Sequence, residues 1–287
     1  MFKRIGDAIK WIGDHFKGLL FLLILLLIFM PVSKAPLKQA NLQEIKLAGP
    51  IMDADKVLKQ IDEAKKDAHI KGVLFNINSP GGAVAPSIEI SYAIRELDRQ
   101  KPVVVYASGT MASGGYYAGV FARKIYANPG SIVGSIGVIM ESANIQELMD
   151  KIGIKPQLVK QGTYKEAGTP VREWTPQERE ELERLTKDTY ELFISDVAKA
   201  RKLDPKAYKE YADAHIFSAQ RAKKAGLVDE VGIKAQARTY LQEQSQVKNP
   251  VWKKKDKLDS FIEKLTSNAV AQVRSYFYGL KSEFMVK

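Results

Sequence analysis

The stretch Val103-Val104-Val105-Tyr106-Ala107-Ser108-Gly109-Thr110-Met111-Ala112-Ser113-Gly114-Gly115-Tyr116-Tyr117-Ala118 leaves the backbone few choices. Its β-branched opening predicts a strand. Small residues fill the middle, and Tyr116 to Ala122 is compatible with a helix. The whole reads as strand, tight turn, helix, with Ser113 at the turn–helix junction. Amides at a helix start lack intrahelical partners and favour negative charge. Glycine there lets a substrate backbone approach closely. Two readings stand at this point: a nucleophile held on a turn, or a small-residue packing contact between helix and sheet.

Around this stretch, strands alternate with helices for about 200 residues, which predicts an α/β domain with sheets covered by helices. Glu44–Leu47 predicts a first strand. Asp53 to Ala68 predicts a helix with Val57, Ile61, Ala64 and Ala68 on one face. Gly72–Asn78 reads as a buried strand ended by Ser79-Pro80-Gly81-Gly82, and Pro86 to Arg99 as the next helix. Lys124–Ala127 is a further strand, and Ser131–Ile139 is β-prone and punctuated by glycine. Asn144–Ile152 predicts a short helix, Gln157–Val159 a short strand, and 160–175 a polar loop. Pro176–Arg201 predicts the longest helix outside the N-terminal apolar run, with Pro176 at the favoured first position after Thr175. Phe217-Ser218 opens a short helix that ends at Gly226.

The ends differ from the middle. The net charge of +11 places +3 in residues 1–34 and +5 in 248–287, so the core is not marked as nucleic-acid-binding. Residues 1–17 are basic and amphipathic. Residues 18–34 follow as an uncharged apolar run closed by Lys34, somewhat shorter than the roughly 20 residues of an average span. Phe16 and snorkelling Lys17 and Lys34 extend it. Ser33-Lys34-Ala35 has the small-x-small look of a cleavage site, but Pro36 would follow the cut. An uncleaved anchor is therefore preferred to a signal peptide. Basic residues precede the run, which places the N-terminus in the cytoplasm and the main domain outside, at the cell (inner) membrane. The expected organisation is a cytoplasmic segment 1–17, an anchor 18–34, an enzymatic domain 35–247 and a basic amphipathic tail 248–287. That tail reads equally as a membrane-surface helix, a segment docked on another subunit, or a frayed end.

A serine nucleophile needs a base within hydrogen-bond reach. The histidines are His15, before the apolar run, His69, ahead of a strand, and His215, in a distant polar segment. None suits a Ser-His-Asp triad. The absence of cysteine removes thiol proteases and thiolate metal sites, and no G-x-x-x-x-G-K-[ST] loop occurs. A lysine serves as base only when burial has cost it its charge. Lys165, in Gln161-Gly162-Thr163-Tyr164-Lys165-Glu166, is a candidate that small and aromatic neighbours would wall off, against the plain reading of a solvated loop lysine. Oxyanion donors would be the amide of Gly114 and one from Gly81-Gly82, which otherwise form a simple strand-to-helix turn.

Asn78-Ser79-Pro80-Gly81-Gly82, Met111-Ala112-Ser113-Gly114-Gly115-Tyr116-Tyr117, Gly134-Ser135-Ile136-Gly137-Val138, Tyr164-Lys165 and Ala225-Gly226-Leu227-Val228-Asp229 occur in order. Together this set resembles the signal peptide peptidase family (protease IV) of Clp-like serine proteases, in its short single-copy form. The resemblance covers about residues 42–235. It implies a Clp/crotonase-type α/β fold of stacked β-α units and a Ser-Lys dyad. Ser113 matches the nucleophile and Lys165, 52 residues on, the general base and acid. Ser135 matches a serine that orients the lysine, and the amides of Gly82 and Gly114 match the oxyanion hole. It further implies homo-oligomers whose dyads can be shared between protomers, remnant signal peptides as substrates, and neither metal nor cofactor. The alternatives are a related membrane protease that cuts the apolar tail of a specific partner, a crotonase-type acyl-CoA enzyme, and a non-catalytic membrane scaffold.

Overall fold

The structure is a computed structural model and describes residues 11–29 and 39–254. The chain divides into two units, Met1–Gln39 and Ala40–Lys287. In the first, helix α1 (Phe16–Phe29) has 14 residues, about 21 Å at 1.5 Å per residue. Among the described residues no helix is long and apolar enough to cross a membrane. Of the expected span 18–34, residues 18–29 are helical and residues 30–34 lie outside the described residues. Most of the basic tail lies outside the described residues.

The second unit is built on a sheet. β1 (Leu42–Ala48), β2 (Gly72–Ser79), β3 (Val103–Ala112), β4 (Lys124–Ala127) and β7 (Glu230–Val231) run parallel in the order β1-β2-β3-β4-β7. Parallel strands need crossovers, and helices supply them: α2 (Asp55–Lys66) joins β1 to β2 and α3 (Val84–Asp98) joins β2 to β3. α2 buries Val57, Ile61 and Ala64, the face its apolar spacing predicts. Val73, Leu74 and Phe75 are all fully buried because both faces of β2 are covered. On one face, Phe75, Ile77 and Val105 pack with Ile90, Ile94, Tyr116 and Val197. On the other, Leu74, Val104 and Tyr106 pack with Ala237 and Leu241 of α9 (Lys234–Gln244).

β3 carries the topology that matters. Its first half pairs with β4, through Val104–Ala107, and its last residues pair instead with β5 (Ile132–Gly134), through Thr110–Ala112. The change of partner coincides with a bulge. Ile77 faces Ala107 and Ser79 faces Met111, so four residues of β3 span what two span on β2. The side-chain carbonyl of Asn78 fills the irregularity by accepting from the Thr110 amide at 2.9 Å. β5 in turn pairs antiparallel with β6 (Ile216–Ser218). The short helix expected to open at Phe217 therefore begins at Ala219, as α8 (Ala219–Lys224), because Phe217 is committed to Val133. Three further helices follow the expected order: α4 (Gly114–Gly119), α5 (Gln146–Ile152) and α6 (Pro176–Arg201). α7 (Tyr208–Tyr211) is a single turn. Gln157–Val159, expected as a strand, pairs with no strand among the described residues.

α6 returns its C-terminal end to the core through an ion pair whose arginine is buried and whose aspartate is partly exposed. Arg201, 8% exposed, grips both oxygens of Asp229 at 2.8 and 3.1 Å and donates to the Gly226 carbonyl. Asp229 also accepts from the Ile125 amide at 2.7 Å. Asp229→Ala is expected to cost about 2 kcal/mol by leaving the buried Arg201 guanidinium without its carboxylate, read by urea unfolding; adding Arg201→Met should recover most of it.

Candidate active site

Ser113 occupies the joint between β3 and α4 with φ 52° and ψ −127°. A non-glycine residue stays in that region only where its surroundings impose it. They do so here through the backbone. The Ser113 amide donates to the Gly134 carbonyl at 2.8 Å, and its carbonyl accepts from the amides of Tyr116 and Tyr117 at 2.9 and 3.0 Å. The Ser113 side chain makes no capping bond to α4. Ser113 itself is half-buried, while the six residues of α4 are buried.

The glycine pair after β2 packs directly on this joint. A Cβ on Gly81 would fall 2.7 Å from the Gly114 nitrogen and 2.8 Å from the Ser113 Cβ. A Cβ on Gly114 would fall 2.3 Å from the Ser87 hydroxyl and 3.3 Å from the Gly82 nitrogen. The segment is held from its other side by Ile51, whose amide donates to the Gly81 carbonyl and whose carbonyl accepts from Ala83. Among the described residues, neither the Gly82 nor the Gly114 amide donates a hydrogen bond. Two free N–H groups thus lie beside one serine, as acyl-transfer chemistry requires.

Ser135 directly follows the carbonyl that receives the Ser113 amide. It too has a positive φ, 50°, and its amide donates to the His215 carbonyl at 2.7 Å. The structure therefore brings Ser113, Ser135, Gly82 and Gly114 together. It also brings up the backbone of His215, which the sequence placed far away. The His215 ring is turned edge-on to Phe217, with centroids 6.1 Å apart. Its carrier is strained: Asp213 and Ala214 have φ of 57° and 56°. No spacing in the sequence marked this pairing. His69 precedes β2, at the opposite end from Ser79 and Met111, as expected. An open cavity of about 340 Å³ adjoins Gly137 and Val138 and is walled by Glu183, Lys187, Tyr190 and Ala214.

Lys165 is not brought to Ser113 within the chain. It is exposed, in a turn closed by its amide donating to the Gly162 carbonyl. The walling-off expected from its neighbours does not occur, since Tyr164 is itself 46% exposed. The loop is fastened at its base by ions. Glu166 pairs with Lys160 at 2.5 Å and with Arg172 at 2.9 Å, and Arg172 forks onto Glu178. Glu178 closes a capping box with Thr175 at the start of α6. The Arg172 hydrogen bonds, followed by the Thr175 amide, hold the Glu178 carboxyl at about 2, well below the ordinary value near 4.5. A depressed carboxylate stabilises the fold above its unfolded value and loses that contribution as pH falls toward the folded one. The protection of amides in residues 160–180 against hydrogen exchange, measured relative to their intrinsic rates at each pH, is thus expected to fall between pH 4.5 and 2.

Residues 95–248 match the Peptidase family S49, more than half of the chain. The chain belongs to this family. A protein of Methanocaldococcus jannaschii is 42% identical over 198 residues, 69% of this chain and 64% of that one. Two more family relatives are the chloroplastic serine protease SPPA of Arabidopsis thaliana and protease 4 of Salmonella typhi. They are 30% and 31% identical, over 64% and 62% of this chain but only 27% and 29% of their own. The chain thus spans less than two thirds of the length of these curated relatives. Among solved structures, a ClpP1 mutant of Listeria monocytogenes covers 68% of this chain and 93% of its own, with a TM-score of 0.46 and 18% identity. That likeness is too slight to bear on function.

Proposed function

We propose that this S49 chain is a serine endopeptidase of Clp/crotonase-type fold, with Ser113 as nucleophile and Lys165 as general base and acid. Ser135 orients the lysine, and the amides of Gly82 and Gly114 hold the oxyanion. The observation that carries this reading is the strained Ser113 joint flanked by two unbonded amides. The Lys165 amine takes the Ser113 proton as Oγ attacks the scissile carbonyl, and negative charge develops on the carbonyl oxygen between the two amides. The same amine returns the proton to the leaving nitrogen. It then deprotonates water, which releases the acyl group and regenerates Ser113.

The lysine reaches the serine from a neighbouring copy in a homo-oligomer. Support comes from the loop region, where Val159 is 95% and Ile139 82% exposed, with Leu148, Ile152 and Leu158 beside them in sequence. A neighbour covering that surface would also desolvate the lysine. The substrates are apolar peptides, remnant signal peptides above all, met at the inner membrane on its extracytoplasmic side. The uncharged run from Gly18 and the basic residues before it support such an anchor. The test is labelling of the full chain with a fluorophosphonate probe, followed by mass mapping. Label on Ser113 that disappears in Ser113→Ala is the expected result; label elsewhere, or none, removes the assignment.

A further inference from the structure

Near its C-terminal end, the buried stripe of helix α6 holds a charge. Phe193, Ile194, Val197 and Ala198 are buried, and among them Asp196 is only 7% exposed. A carboxylate is retained in such a place only with good partners. Its Oδ2 accepts from the Tyr117 hydroxyl at 2.6 Å and from the Tyr92 hydroxyl at 2.9 Å. The two tyrosines belong to different helices. Tyr92 is on α3, which starts two residues after Gly82. Tyr117 is on α4, which starts at Gly114, and its own amide bonds the Ser113 carbonyl. Phe193 stacks flat on the Tyr117 ring at 4.3 Å, and the Arg95 guanidinium lies over the Tyr92 ring at 4.3 Å. Burial, reinforced by the bond to Asp196, pushes both phenols above their ordinary value, so both remain donors.

We propose that Asp196 is a positioning residue for the oxyanion site: one carboxylate oxygen clasps the helix that follows Gly82 to the helix that begins at Gly114 and so fixes the spacing between the two amides. The inference rests on the peptidase reading above. It goes beyond it by naming a group that reaches the serine only through Tyr117. Amides aimed at an oxyanion act on the transition state and hardly at all on the bound substrate. Loosening the clasp should therefore lower kcat and leave KM alone.

The test compares full-length wild type with Asp196→Leu, Asp196→Asn, Tyr117→Phe and Ser113→Ala on an apolar peptide. Leucine has similar size and no acceptor. Asparagine keeps an oxygen able to accept both phenol protons. Asp196→Leu is expected to lose about 10- to 100-fold in kcat with KM within about twofold. Asp196→Asn should stay within about threefold of wild type, and Tyr117→Phe, which keeps the stack on Phe193, should fall between. The proposal is overturned if Asp196→Leu keeps its kcat, if the loss appears in KM, or if Asp196→Asn is no better than Asp196→Leu. Should Asp196→Leu show no cooperative unfolding transition, Tyr117→Phe decides, and an unchanged kcat there also overturns it. Ser113→Ala separates the two levels. If it hydrolyses like wild type, the serine assignment falls and takes this inference with it. If it is inactive while Asp196→Leu is unimpaired, only the clasp falls.

Discussion

Subunits carrying Ser113→Ala and subunits carrying Lys165→Ala, mixed equally and reassembled, are expected to regain about a quarter of wild-type hydrolysis, though each alone loses at least about 10³-fold. On the proposed shared dyad, each working site needs an intact serine from one copy and an intact lysine from the next, and random mixing supplies each half the time and both a quarter of the time. The expectation follows from the exposed Lys165 loop, which is anchored to its own chain through Glu166, Arg172 and Glu178 rather than to the serine. No recovery on mixing would restrict the pair to one subunit. Full activity of Lys165→Ala alone would dismiss the lysine altogether.

Gly81→Ala should be almost as damaging, by a different route. The added carbon meets the Gly114 nitrogen at 2.7 Å and the Ser113 Cβ at 2.8 Å, on a backbone with φ +98°. Neither neighbour is a flexible side-chain end, so the loop, the joint or both must move. A loss of about 2–3 kcal/mol and at least about 100-fold in hydrolysis is expected. Gly153→Ala supplies the control. Its φ is +74° but an added carbon meets nothing within 4 Å, so about 1 kcal/mol should be lost and turnover kept. Equal activity loss in both variants would mean that backbone strain, not contact with the serine, causes the effect.

Which parts of this architecture could be read from residues alone follows from the range of the forces involved. α6 was legible to its ends, because Thr175, Pro176 and Glu178 form a local start signal that needs no partner. β2 and the start of β3 were legible because a parallel sheet covered on both faces demands unbroken apolar runs. Ser113 was visible as a strand–turn–helix joint. What escaped depends on distant pairing. Phe217 looked like a helix start and became a strand opposite Val133. The β-like Gln157–Val159 found no strand to join among the described residues. His215 reached Ser135 only through the β5–β6 ladder. Asp196 did leave a trace: an acid set in the apolar stripe of Phe193, Ile194 and Val197 asks for a buried donor. The sequence does not say that the donors would be two tyrosines more than 75 residues upstream.

The torsion angles of Ser113 carry a consequence for how this protein could be improved. At φ 52° and ψ −127° a side chain is a burden, and glycine would sit there at ease. Ser113→Gly should therefore melt later than wild type, by about 1–2 kcal/mol of added stability, while Ser113→Ala should not. Any laboratory selection that rewards heat resistance alone will find this position early and discard the hydroxyl. A screen for hardier variants of this chain must score turnover in the same round, since under the proposed assignment a substitution that favours robustness here is one that would end the chemistry.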